Sequence, residues 1–146
     1  MSADQERHSL VNQEGSRAER NEEAFQNIVE KTGSHVANGF NVVIDSGLTE
    51  KRVSILDKLA QERGVSIYKF YLEAPYDVLF ERVKLRDANQ GRETDEARFK
   101  EVFQIIASKD FGGYEIIKTD NVALENIVEK IITSLAQSSN SSHRRL

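Results

Sequence analysis

Asp45 closes a short apolar run, residues 40–44, and is followed by Ser46 and Gly47, which do not readily extend a strand. A carboxylate at the C-terminal tip of a buried strand sits where open α/β folds hold their ligands, and it suits Mg²⁺ or an ordered water. The plainer reading is a turn residue. Arg82 and Arg86 stand one turn apart on one side of a predicted helix, and Arg92 follows just beyond it. Guanidinium groups gathered in this way can neutralise charge on a phosphoryl group. The plainer reading pairs them with Glu81, Asp87 and Glu93 on a solvated face. His8, His35 and His143 lack ligand spacing and the chain has no cysteine, which argues against a metal site built on imidazole or thiolate.

A length of 146 residues predicts one domain, and 38% hydrophobic content is enough for a modest core without disulfides. The net charge of -4 argues against a protein that lives on the nucleic-acid backbone, although local basic clusters can still grip a phosphate. The start, with Asp4, Glu6 and Arg7 and no apolar run, is unlike a signal peptide, and no stretch approaches a membrane span. The expectation is a cytoplasmic protein with no membrane partner.

The elements that must position these residues alternate between helical periodicity and short continuous apolar runs, which predicts parallel α/β. A first helix is expected over residues 16–38, with Phe25, Ile28, Val29, Thr32 and Val36 on one stripe and Gly39 to end it. Residues 40–44 are expected to form a buried strand. Thr49 can cap a helix carrying Val53, Leu56, Leu59 and Ala60, which Gly64 stops. Residues 65–72 read as a strand. Pro75 then opens a helix bearing Tyr76, Leu79, Phe80 and Val83. Residues 87–93 read as a mobile loop. Thr94 or Asp95 can cap a helix with Phe99, Val102, Phe103 and Ile106 on one face. Gly112 and Gly113 turn the chain into a strand at residues 114–119, and Leu124, Ile127, Val128, Ile131 and Leu135 mark a last helix. The domain is expected to end at residue 136, with residues 137–146 a disordered tail rich in Ser and Asn.

The ordered set of short motifs resembles the P-loop kinases of the polynucleotide-kinase and zeta-toxin type. Asn41-Val42-Val43-Ile44-Asp45-Ser46-Gly47, then Arg52, looks like their strand with a Walker-B-like acid and the arginine of the following helix. Tyr71-Leu72-Glu73-Ala74-Pro75 leading to Glu81-Arg82-Val83-Lys84-Leu85-Arg86-Asp87 looks like the strand that opens onto their arginine-bearing lid. Ser2-Ala3-Asp4-Gln5-Glu6-Arg7 resembles their Asp-x-x-Arg segment. The resemblance implies a three-layer parallel sheet with helices on both faces. It implies Asp4 as general base, Asp45 as catalytic Mg²⁺ or water organiser, and Arg86 and Arg92 as catalytic lid residues. Arg7 and Arg52 would hold substrate, and Arg82, Asp120 and Asn121 would lie on the nucleotide side. Solvated surface charge is the alternative for Asp4 and Arg7, and ordinary turn chemistry for Asp120 and Asn121.

A P-loop needs G-x-x-x-x-G-K-[ST], whose backbone amides wrap phosphate. None of the eight glycines is followed by lysine and then a hydroxyl residue. The resemblance places the missing strand, loop and helix before Met1, so the chain reads as an N-terminally truncated domain, inactive as it stands. The absent strand would be the central one, and its loss would leave sheet edges free for self-association. The resemblance implies ATP and Mg²⁺ as cofactors of the complete domain and leaves open that this chain takes none. The expected activity is ATP-dependent phosphorylation of a hydroxyl on a small molecule or a nucleic-acid end. The other readings are a non-catalytic remnant or binding module, and an unrelated flavodoxin-like or response-regulator-like domain.

Overall fold

Ser16 starts the first helix by the two-way exchange its spacing to Glu19 permits. The Ser16 hydroxyl accepts from the Glu19 amide at 3.3 Å, and the Glu19 carboxylate accepts from the Ser16 amide at 2.6 Å. The computed structural model describes residues 1–2, 16–47 and 49–142. These fall into two compact units, Met1–Ile67 and Tyr68–Leu146.

In the first unit, α1 (Arg17–Ala37) packs on α2 (Glu50–Arg63). Ala24, Phe25, Ile28 and Thr32 recur at helical spacing and are buried on α1, and Leu56 and Ala60 are buried on α2. Gly33 lies on this contact, since a Cβ there would stand 3.6 Å from Leu59 Cδ1. Thr49 caps α2 through the Arg52 amide, and Gly64 ends it in the left-handed region at φ +63°.

The run 40–44 does not form the buried strand its composition predicts. Phe40 is 64% and Val43 79% exposed, and among the described residues pairing is limited to a parallel bridge between Ser2 and Asp45. The Asp45 amide donates to Met1 O at 2.8 Å, and the Met1 ammonium donates to Val43 O. Strand propensity becomes a ladder only where a neighbouring strand supplies partners. Among the described residues only Met1 and Ser2 do so here.

The second unit holds β1 (Phe70–Glu73), α3 (Tyr76–Asn89), α4 (Glu96–Ala107), β2 (Glu115–Lys118) and α5 (Leu124–Ser142). β1 and β2 are parallel, in register from Phe70 with Glu115 to Glu73 with Lys118. The ladder covers only the end of the predicted run 65–72, because β2 offers partners for four residues. Bonds from Glu115 N to Lys69 O and from Thr119 N to Glu73 O extend it at either end. The described parts of the chain are therefore α/β, with a two-stranded sheet.

Asp95, rather than Thr94, caps α4, accepting from the Arg98 amide at 2.9 Å. An aromatic cluster ties α3 to α4, with Tyr76 5.2 Å from Phe99 and 5.1 Å from Phe103 between ring centroids. The helix α3 runs on to Asn89, so Asp87 belongs to its last turn and is buried, not part of a loop as expected. Likewise α5 continues to Ser142, past residue 137 where the polar tail was expected to begin. No helix among the described residues is long and apolar enough to cross a membrane.

Candidate functional site

Asp45 stands in the first unit at the end of the chain segment bridged to Ser2. Its side chain is solvent exposed, and among the described residues no side chain bonds to its carboxylate. Such a carboxylate suits one ligand position of Mg²⁺, which takes its remaining ligands from phosphate and water. No group of three or more His, Cys, Asp or Glu able to hold a metal occurs among the described residues. The residues present therefore fit one contact to Mg²⁺, and they do not by themselves form a triphosphate cradle.

Arg52 is directed to α1. Its Nη2 donates to Asn21 O and to Glu22 Oε2, each at 3.0 Å, and its guanidinium lies 4.7 Å from the centroid of the Phe25 ring. The hydrogen bond from Arg52, followed by that from Gln26, holds the Glu22 carboxyl below its ordinary value. Asp4 and Arg7 lie outside the described residues.

In the second unit the three arginines separate into two arrangements. Arg82 reaches the C-terminal end of β2, donating from Nη1 to Thr119 Oγ1 at 3.0 Å and from Nη2 to Thr119 O at 2.8 Å. The Thr119 hydroxyl donates in turn to Glu73 O at 3.1 Å, so one guanidinium closes the ends of both strands. Asp120 and Asn121 follow directly in a turn, with Asn121 at φ +55°. Arg82, Asp120 and Asn121 thus gather at one end of the sheet.

Arg86 and Arg92 converge on Asp87. Arg86 donates from Nε and Nη2 to Asp87 Oδ1 at 3.2 and 3.1 Å, and Arg92 Nη2 reaches the same oxygen at 3.0 Å. The Thr94 hydroxyl donates to Oδ2 at 3.2 Å, and the Arg92 amide donates to Asp87 O at 2.9 Å. Arg92 also donates to Gln90 Oε1. The carboxylate is 11% exposed while the two arginine side chains are 59% and 58% exposed, so the acid sits behind and the cations in front. Burial pushes the Asp87 carboxyl up, but the hydrogen bond and charge of Arg86, the Thr94 hydroxyl and the charge of Arg92 outweigh it. The net displacement is downward. The pairing with Asp87 belongs to the plainer reading of the sequence, which sets it beside Glu81 and Glu93; the convergence of Arg86 and Arg92 on one oxygen of a covered Asp87 is not part of that reading. The available signal was an acid at a helix end between Arg86 and Arg92 with a hydroxyl residue close behind.

A family model described as AAA domain matches residues 1–106. No curated protein and no solved structure matches the chain. The matched span includes Asp45, Arg52 and all three arginines around α3, whereas Asp120 and Asn121 lie beyond it. With a match over more than half its length, the chain belongs to the AAA domain family, a P-loop NTPase-like group of kinase-like nucleotide-binding domains.

Proposed function

We propose that the chain carries the acceptor-side and lid portions of an ATP-dependent phosphotransferase, of the polynucleotide-kinase and zeta-toxin type. The acceptor is a hydroxyl of a small molecule or a nucleic-acid end. The observation that carries this reading is the paired, outward-facing Arg86 and Arg92 inside the family match. Two guanidiniums held side by side are the arrangement that neutralises a transferring phosphoryl group. Asp45 holds one side of a Mg²⁺ ion, which when bound offsets phosphate charge. Asp4 accepts the proton of the acceptor hydroxyl, and Arg7 and Arg52 orient that acceptor. Arg82, Asp120 and Asn121 lie on the nucleotide side. β1 and β2 form one side of a three-layer sheet, and the glycine-rich loop is supplied by residues outside these 146.

The test is phosphate transfer by the chain joined behind a strand, G-x-x-x-x-G-K-[ST] loop and helix, with a panel of sugars, nucleosides and oligonucleotide ends as acceptors. Transfer to one class of acceptor is expected, with Asp45→Asn lowering it by about a hundredfold or more. Absence of transfer to every acceptor overturns the reading.

The second reading, a non-catalytic binding module, is favoured by one observation: no glycine in the chain opens onto lysine and a hydroxyl residue. It requires that Mg²⁺-ATP leave the melting temperature unchanged even after the loop is joined. Self-association is part of the proposal. Leu72 and Ile116 are each 52% exposed on a sheet that pairs only β1 with β2 among the described residues.

A further inference from the structure

We propose that Asp87 is a positioning residue that presents Arg86 and Arg92 together to a phosphoryl group, an inference that rests on the kinase reading. Arg86 and Arg92 are six residues apart, and both donate to one oxygen of Asp87. The chain reverses between them at Gly91, whose φ of +66° lies in the left-handed region. The Arg92 amide on Asp87 O fixes the backbone of the turn, and the Thr94 hydroxyl on Oδ2 fixes the carboxylate plane. Asp87 Oδ1 is thus the common point from which two guanidiniums extend toward solvent.

Three features separate this arrangement from a surface ion pair. The carboxylate is nearly covered, it takes a donor on each oxygen, and both cations, on side chains more than half exposed, keep N–H groups beyond those bonded to Asp87. A long arginine side chain ordinarily loses rotamer freedom when it binds an anion, and here Asp87 has imposed that order beforehand. Its negative charge also keeps the two cations from repelling each other apart. The net positive charge that remains faces outward.

The test uses the full chain with inorganic tripolyphosphate as the probe and NMR of the arginine Nε–Hε groups as the readout. In the parent protein the Arg86 signal, whose Nε–H donates to Asp87, is expected to be protected, and the Arg86 and Arg92 signals are expected to shift together on titration. Asp87→Asn keeps the shape and removes the charge. It is expected to abolish the protection and weaken the response by roughly threefold to tenfold while the amide signals of α3 and α4 stay in place. Thr94→Val, a milder change, is expected to give an intermediate loss. Unchanged or tighter binding in Asp87→Asn and Thr94→Val overturns the positioning role and leaves the kinase reading intact. No response of Arg86 or Arg92 in the parent protein overturns both.

Discussion

Replacing Arg82 with alanine removes both donors that close the end of β2. Thr119 is 7% exposed, so its carbonyl, which accepts from Arg82 Nη2 at 2.8 Å, gains little access to water when the guanidinium is deleted. The Thr119 hydroxyl still donates to Glu73 O, so only one acceptor is stranded. A hydrogen bond from a charged donor contributes about 1.5–3 kcal/mol, and the exposure of Arg82 itself lowers the expected cost to about 1–2 kcal/mol. For a folding unit of this size each kcal/mol lowers Tm by about 4–8 °C, a shift readily followed by circular dichroism. Arg82→Lys retains one donor and should recover part of the loss. Arg86→Ala should cost less than Arg82→Ala, because Asp87 keeps Arg92 and Thr94. An Arg82→Ala protein melting within about 1 °C of the parent would refute the idea that this guanidinium secures the strand ends.

Phe25 is 2% exposed at the centre of the first unit, and Phe25→Ala should destabilise that unit by about 3–5 kcal/mol in urea denaturation. Gly33→Ala should stabilise by about 0.5–1 kcal/mol, since the added Cβ meets Leu59 Cδ1 at an ordinary contact distance of 3.6 Å. Gly64→Ala should do the opposite, by about 1 kcal/mol, because the residue holds φ +63°. Asp87 and Glu22 both have carboxyls held below their ordinary values, by partners on Asp87 and by Arg52 on Glu22. A depressed folded value means stability present above the unfolded carboxylate pKa and lost as pH falls through the folded one. An acid titration followed by circular dichroism should therefore show a shallower loss for Asp87→Asn than for the parent, and an equal slope would count against the pairing.

What could be read in advance was local. Ser16 and Glu19, Thr49, Gly64 and Asp95 act within four residues of their partners, so local spacing specifies the helix ends. The α/β class followed from alternating periodicity. The lengths of strands did not, since Phe40 and Val43 carry full strand propensity and yet, among the described residues, this run meets only Met1 and Ser2. Of the two roles of the lid arginines, the pairing with Asp87 was open to the sequence as its plainer reading, and the bond of Arg82 to Thr119 was not. Arg82 and Arg86 are one turn apart in sequence, but Thr119 is 37 residues from Arg82, while Asp87 is the immediate neighbour of Arg86. Helical spacing identifies residues that share a side and is silent about which distant carbonyl or carboxylate meets them.

Calorimetric titration with Mg²⁺-ATP, on the 146-residue chain and on the same chain joined behind a glycine-rich strand, loop and helix, tests the proposed division of labour most directly. No measurable heat from the chain alone and saturable, Asp45-dependent binding in the joined form is the predicted result. Tight binding by the chain alone, or none by the joined form, would contradict it.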